Sequence, residues 1–274
     1  MTLSVLGLVL LAAATHALWN SWLKVSGDRL VTLATIAVGW AVVGLVSLPV
    51  VGVPEQRVWP YLLASTVVHT IYSLSLVRAY GLGNLSVVYP IARGVGPLVV
   101  AVVSTIYLGD ALGVVGSLAV LLIVAGVLWL GLFQSHGNSA GVFASLLTGT
   151  LIGTYTILDG LGGRIGDSPH AFAAWLFMLT AVPVTGSAIL FHRGEFTELA
   201  RPLWSKGVCV GIVSAGAYWI VVWAMSVAPM GLVAAVRESS VVFAALIGGF
   251  VLREPVRWIA VILVFGGIVL TRYA

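Results

Sequence analysis

The sequence predicts an all-α integral membrane protein of ten transmembrane helices arranged as two inverted five-helix repeats. Three observations lead there. The chain has 274 residues, 60% hydrophobic and 8% charged, with mean hydropathy +1.12, whereas charged residues make up about 25% of soluble domains. Its apolar residues gather into ten blocks, each near the roughly 20 residues that cross the hydrocarbon core. The two halves also echo each other. Ala79-Tyr80-Gly81 through Leu108-Gly109-Asp110 resembles Ala224-Met225-Ser226 through Leu252-Arg253-Glu254 with one gap. More weakly, His16-x3-Asn20 before Ser26-Gly27-Asp28 pairs with Tyr155-x3-Asp159 before Ile165-Gly166-Asp167. Five is an odd number of crossings, so the second copy enters the bilayer upside-down relative to the first. Inverted repeats are the architecture of secondary transporters, with the solute site at the repeat interface near the midplane.

The first span, Leu3–Leu23, is too long and too weakly basic at its start for a cleaved signal peptide, and Lys24 follows rather than precedes it. It is expected to be a retained helix. His16, Asn20 and Lys24 recur at a spacing of four and form a polar stripe. Lys24, at the span end, is expected to snorkel to the interface. His16 lies deeper, beside Trp19, and is the better candidate for a cavity. The second span, Leu30–Val51, leads to the third, Trp59–Tyr80, where His69 and Tyr72 stand three apart near the centre with the hydroxyls of Thr66 and Ser73 nearby. An imidazole there either completes a hydrogen-bond network or faces a solute, and its ordinary pKa near neutrality suits it to carry a proton.

In the fourth span, Leu85–Leu108, Arg93 lies eight residues in, roughly 12 Å deep at about 1.5 Å per residue. Insertion scales charge about 2.5–3.5 kcal/mol for Arg at that depth, so it should face a wet cavity, a partner acid, or both. Tyr89 shares its face, and Pro90, Gly94, Gly96 and Pro97 predict an interrupted helix of the kind transporters use at their sites. The fifth span, Ala111–Phe133, follows Asp110, which is expected to cap it. Gln134–Ser139, with Gly137 and Asn138, reads as a linker between units 1–135 and 139–274.

The sixth span, Gly141–Leu161, places Tyr155 at depth as the repeat mate of His16, and Asp159 near its end as a cap or loop contact. Span seven, Ala171–Phe191, is followed by the longest loop, His192–Lys206. Span eight, Val208–Ala228, holds Tyr218, Trp219 and Trp223, which are either lipid-facing and core aromatics or a wall for an aromatic or cationic solute. Cys209 is alone, so no intrachain disulfide forms.

In the ninth span, Gly231–Leu252, Arg237-Glu238-Ser239-Ser240 mirrors the Arg93 region. Adjacent side chains point about 100° apart, so Arg237 and Glu238 should not satisfy each other fully, and Glu238 is free to meet Arg93 across the pseudo-twofold axis. One of those three charges then stays unpaired, and a slightly positive centre would suit an anionic group. Glu254 is expected to cap the tenth span, Val256–Tyr273. Gly113-x2-Gly116 and Gly248-Gly249 are expected to allow close helix approach. Trp59, Trp204 and Trp258 suit interfacial anchoring.

Taken as an ordered set, these features resemble the ten-helix, EamA-like branch of the drug/metabolite transporter superfamily over nearly the whole chain. The matching residues are the acids before the fifth and tenth helices (Asp110 where Glu is usual, Glu254) and the glycines of each half's last helix (Gly126, Gly131; Gly266, Gly267). The resemblance implies ATP-independent transport of amino acids, amines, nucleotide sugars or other metabolites, through a cavity lined by helices one to four and six to nine. His69-x2-Tyr72 resembles the His and Tyr in the third-helix cavity wall of aromatic amino acid exporters of this family. His16-Ala17-Leu18-Trp19-Asn20 and Tyr89-Pro90-Ile91-Ala92-Arg93-Gly94 are similar to a subgroup linked to phosphonate use. It also implies cytoplasmic termini. The loop charges point the other way, with Arg57, Arg164 and Arg272 on the terminal side against Arg29, Arg193, Arg201, Lys206, Arg253 and Arg257 opposite.

The expected function is therefore secondary transport of a small polar metabolite, such as an amino acid or a related zwitterion or anion, across the cell inner (plasma) membrane. Amines, cationic drug-like compounds and phosphonates are the alternative solutes, a channel or a membrane-embedded enzyme are the alternative classes, and proton coupling is open. The substrate-binding candidates are His16, Trp19, Asn20, His69, Tyr72, Tyr89, Arg93, Tyr155, Tyr218, Trp219, Trp223, Arg237, Glu238 and Ser239. No zinc spacing, phosphate-cradling loop or nucleophile elbow occurs. His170 and His192 read as loop residues without partners. No cofactor, metal, nucleic acid or enzymatic activity is expected. A fused repeat supplies both halves, so a monomer is favoured, with a dimer conceivable.

Overall fold

Helix starts follow from local chemistry. The Thr2 hydroxyl accepts the Val5 amide to open α1 (Leu3–Val25), Asp28 accepts the Val31 amide to open α2 (Arg29–Val51), and Ser168 with Pro169 at the first position opens α7 (Pro169–Phe191). The computed structural model describes residues 1–82, 85–132, 139–252 and 257–274. Every regular element among them is helical. Between and after those three lie α3 (Trp59–Leu82), α4 (Leu85–Tyr107), α5 (Gly113–Leu132), α6 (Ser139–Ile165), α8 (Phe196–Ala200), α9 (Trp204–Val227), α10 (Met230–Arg237), α11 (Ser240–Leu252) and α12 (Trp258–Leu270). Eight helices among the described residues are long and apolar enough to cross a membrane.

Four expectations change here. The fourth span is not interrupted: α4 runs unbroken through Pro90 and Pro97. The break falls in its repeat mate. The ninth span divides at Glu238-Ser239 into α10 and α11, joined by i→i+3 bonds from the Glu238 and Ser239 amides to the Ala235 and Val236 carbonyls. At the break the Ser240 hydroxyl accepts from Arg93, and Arg237 meets Glu238 beside it. The loop His192–Lys206 contains α8 and a 3-10 turn at Arg201–Leu203. Gly113 meets no neighbouring atoms and instead takes φ +62° at the start of α5. The expected roles of Lys24, Gly131, Gly248-Gly249 and Glu254, and the linker at 134–139 apart from Ser139, lie outside the described residues.

Close helix approach occurs elsewhere. A methyl group at Gly39 would lie 2.7 Å from Gly211 Cα across the α2–α9 contact, and one at Gly267 would lie 2.7 Å from the Ala119 carbonyl across α12–α5. Gly149 meets the Ala92 carbonyl of α4 in the same way. α2 packs on α7 and α9, and α6 packs on α3 and α4, while α5 and α12 pair on a flank reached through α4 and α10. The Met1 ammonium donates to the Thr271 and Ala274 carbonyls, so both termini share one side.

Candidate functional site

Between α1, α2, α3, α6, α7, α9 and the end of α10 lies a partly open cavity of about 80 Å³. That is room for a few waters or a compact solute, well below the roughly 300 Å³ at which drug-sized pockets begin. Its wall includes His16, Trp19, His69, Tyr72, Tyr155, Tyr218 and Arg237. His16 stands edge-on to Trp19 at 4.8 Å, and His69 stacks on Tyr155 at 3.9 Å between centroids. Two polar hydrogens in the wall are unspent, those of Trp19 Nε1 and Thr180 Oγ1.

Beside the cavity lies a chain of buried charges. Glu238 is fully buried and forms an ion pair with Arg93, while Arg237 Nε and Nη2 donate to its other oxygen at 3.3 and 3.2 Å. Arg237 and Glu238 therefore do satisfy each other in part, because the turn after α10 brings consecutive side chains closer than a regular helix would. The Arg93 guanidinium also lies 5.9 Å from the Tyr89 ring and donates to Ser240 Oγ at 3.4 Å. Arg237 continues the chain, with its guanidinium 5.7 Å from the Tyr218 ring and a bond to Thr156 Oγ1 at 3.5 Å.

Tyr218 then leads to a residue the sequence reading placed wrongly. Asp159 is not an end cap. It is fully buried, accepts from the Ser65 and Tyr218 hydroxyls, and meets His69 Nε2 at 3.0 Å. α6 runs on to Ile165, and α3 and α9 close over the carboxylate. The expected positive centre is corrected with it: Arg93 and Arg237 both pair with Glu238, Asp159 is buried a short way off against His69 and Tyr218, and the four formal charges cancel.

The fourteen candidates divide by place. His16, Trp19, His69, Tyr72, Tyr155, Tyr218 and Arg237 line the cavity. Tyr89, Arg93, Glu238 and Ser239 lie behind the wall in or beside the charge chain, with Arg93, Glu238 and Ser239 all buried. Three stand apart. Asn20 Nδ2 bonds back to the His16 carbonyl of its own helix. Trp219 donates to His170 Nδ1 at 2.8 Å, which also gives His170 a partner in the first turn of α7. Trp223 lines a surface groove with Met1, Thr2 and Pro229. Around α9, Trp219 lies about 100° and Trp223 about 140° from Tyr218, so neither shares the face that Tyr218 turns to the cavity. His192 is likewise partnered, 2.8 Å from Asp28.

Trp40, Phe177, Thr180 and Ser214 of the wall were missed. A mid-span Trp, far from either interface, was the available signal for Trp40, whose Nε1 donates to Ser214 at 2.8 Å.

On the terminal side Asp110 caps a different helix from the one expected. Its carboxylate accepts the Met230 amide that opens α10 at 2.7 Å and pairs with Arg164 at 3.0 Å. Arg164 also donates to the Met225 and Ala228 carbonyls at the end of α9. The next exposed cluster joins Arg57, Glu55 and Asp167. Hydrogen bonding to Asp167 and Arg57 holds the Glu55 carboxyl below its usual range, while sharing with Glu55 pushes that of Asp167 up.

No group of three or more His, Cys, Asp or Glu among the described residues is arranged to hold a metal ion. No curated protein matches the chain. Thirteen chains of solved structures do. One, a crystal structure of a protein, is 19% identical, covers 98% of this chain and 95% of its own, and superposes with a TM-score of 0.71, a likeness of fold. The model of the EamA-like transporter family, part of the drug/metabolite transporter superfamily, matches residues 139–273. Apolar helices and this match together make the chain an integral membrane protein. Through its second half, the chain belongs to the EamA-like transporter family.

Proposed function

We propose that the chain is a secondary, ATP-independent carrier of a small polar metabolite, an amino acid or a related zwitterion, working by alternating access around the central cavity in the cell inner membrane. The observation that carries this reading is one guanidinium, Arg237, and two imidazoles, His16 and His69, in the wall of a partly open cavity amid apolar helices. Ionisable groups at such depth are costly to keep, and they persist where a solute path needs them. Balanced central charges favour a solute that is itself neutral overall yet carries a carboxylate for Arg237 to bind. In this reading α10 and α11 form one broken crossing, and ten crossings make two inverted repeats over residues 1–135 and 139–274. The sequence echo and the meeting of Arg93 with Glu238, from equivalent places in the two halves, support it. The tyrosine faces of the wall favour a second reading, a carrier of amines held by cation–π contact.

Proteoliposomes holding the purified chain should show saturable uptake and counterflow of an amino acid. Arg237→Gln should lower that flux by about 10- to 100-fold, the weight of a lost charge-assisted hydrogen bond of about 1.5–3 kcal/mol. Flux that does not saturate would mean a channel. Saturable flux indifferent to Arg237→Gln would remove the site assignment.

A further inference from the structure

We infer that His69 and Asp159 form the proton-binding site of this carrier, and that a proton on His69 and a carboxylate-bearing solute at Arg237 bind together. The inference rests on the carrier reading above and names its coupling ion. Asp159 takes hydrogen bonds from Ser65 and Tyr218 and lies 3.0 Å from His69 Nε2. With the carboxylate ionised, Nε2 carries the hydrogen of that contact and Nδ1 is left as the ring's acceptor. A proton arriving from the cavity adds to Nδ1. No bond breaks, and the charge of the ring rises by one.

The groups facing His69 set the consequence. From α6 they are Tyr155 and Asp159, from α9 Tyr218, and on its own helix α3 Tyr72. Arg237 of α10 and His16 of α1 share the same cavity. While His69 is neutral, Arg93, Arg237, Glu238 and Asp159 cancel. Protonation leaves one positive charge in excess beside a small, mostly apolar cavity. A solute carboxylate at Arg237 removes that excess, so each event favours the other by linkage. Tyr218 connects the two places, with its hydroxyl on Asp159 and its ring 5.7 Å from the Arg237 guanidinium. For a zwitterion the coupled pair carries net positive charge, so entry is driven by a negative interior as well as by acid outside.

The test uses the full chain in proteoliposomes containing a trapped pH dye, with the proteinogenic L-amino acids as probes. An amino acid that shows counterflow should acidify the interior as it enters, and its uptake should rise at least tenfold when acid is imposed outside. His69→Gln keeps a donor for Asp159 but cannot take a proton. It should lose both acidification and the response to pH, and whatever exchange it retains should be weaker and the same at every outside pH, because the solute has lost its linked proton. Asp159→Asn should do the same, with a cooperative unfolding transition by tryptophan fluorescence in detergent showing that each variant is folded. Counterflow without acidification, or acidification that survives His69→Gln, overturns the proton site and leaves the carrier reading standing. Variants that no longer unfold cooperatively overturn it too, by making the pair a structural one. Absence of counterflow for every probe removes both readings.

Discussion

Glu238→Gln removes the one acid that faces both Arg93 and Arg237, and it leaves the shape of the side chain almost unchanged. Glu238 is 0% exposed, Arg93 2% and Arg237 3%, so water cannot replace the lost charge. Taking one partner from a buried pair costs about 3–5 kcal/mol, because the desolvated charge left behind has no compensation. Here two cations are left, and Asp159 is no direct partner for either: its carboxylate is held by Ser65, His69 and Tyr218, and Arg237 meets Tyr218 through the ring face. At about 2–4 °C per kcal/mol for a chain of this size, the unfolding midpoint should fall by roughly 6–20 °C, read from tryptophan fluorescence in detergent. Adding Arg93→Met to Glu238→Gln removes the excess cation and should recover a good part of the loss, a coupling that a double-mutant cycle isolates. A midpoint within a degree of wild type for Glu238→Gln alone would refute the reasoning, since it would mean the arginines reach water.

Two further outcomes test the packing and the terminal-side cluster. Gly211→Ala should destabilise by about 1–3 kcal/mol, because its methyl group would press on Gly39 Cα at 2.8 Å in a contact of two backbones, whereas Gly216→Ala in the same helix meets nothing within 4 Å and should gain up to about 1 kcal/mol in helix propensity. Equal midpoints for the two variants would show that α2 and α9 do not touch there. Arg164→Met strips the end of α9 of two bonds to carbonyls and Asp110 of its cation. It should cost about 1.5–3 kcal/mol and raise hydrogen exchange at residues 225–230. Unchanged exchange would mean that the cluster does not hold α9 to α10.

What could be read without a structure was whatever the bilayer demands of short stretches of chain. Apolar blocks of the right length had to be helices, since backbone groups in hydrocarbon must be satisfied within the segment. Caps at Thr2, Asp28 and Ser168, which the sequence reading did not single out, depend only on side-chain chemistry a few residues away. Arg93 and Glu238 could be paired on paper because an intramembrane cation needs an anion and the repeat offered one. Asp159 could not be placed this way. Its distance from the drawn end of a helix suggested an interface, but its surroundings come from Ser65 and His69 on α3 and Tyr218 on α9, 94, 90 and 59 residues away. Likewise, prolines and glycines marked α4 as the helix to break, yet the break went to α10–α11, where charged side chains meet. Asp110 shows the same limit, capping Met230 rather than its own neighbour. Local chemistry determined which segments are helices and which residues must find partners. Which partner each one found, and with it the neutral balance of charges beside the cavity, was decided by how the helices pack, because a buried charge is stabilised by whatever lies within a few ångströms in space, however far along the chain.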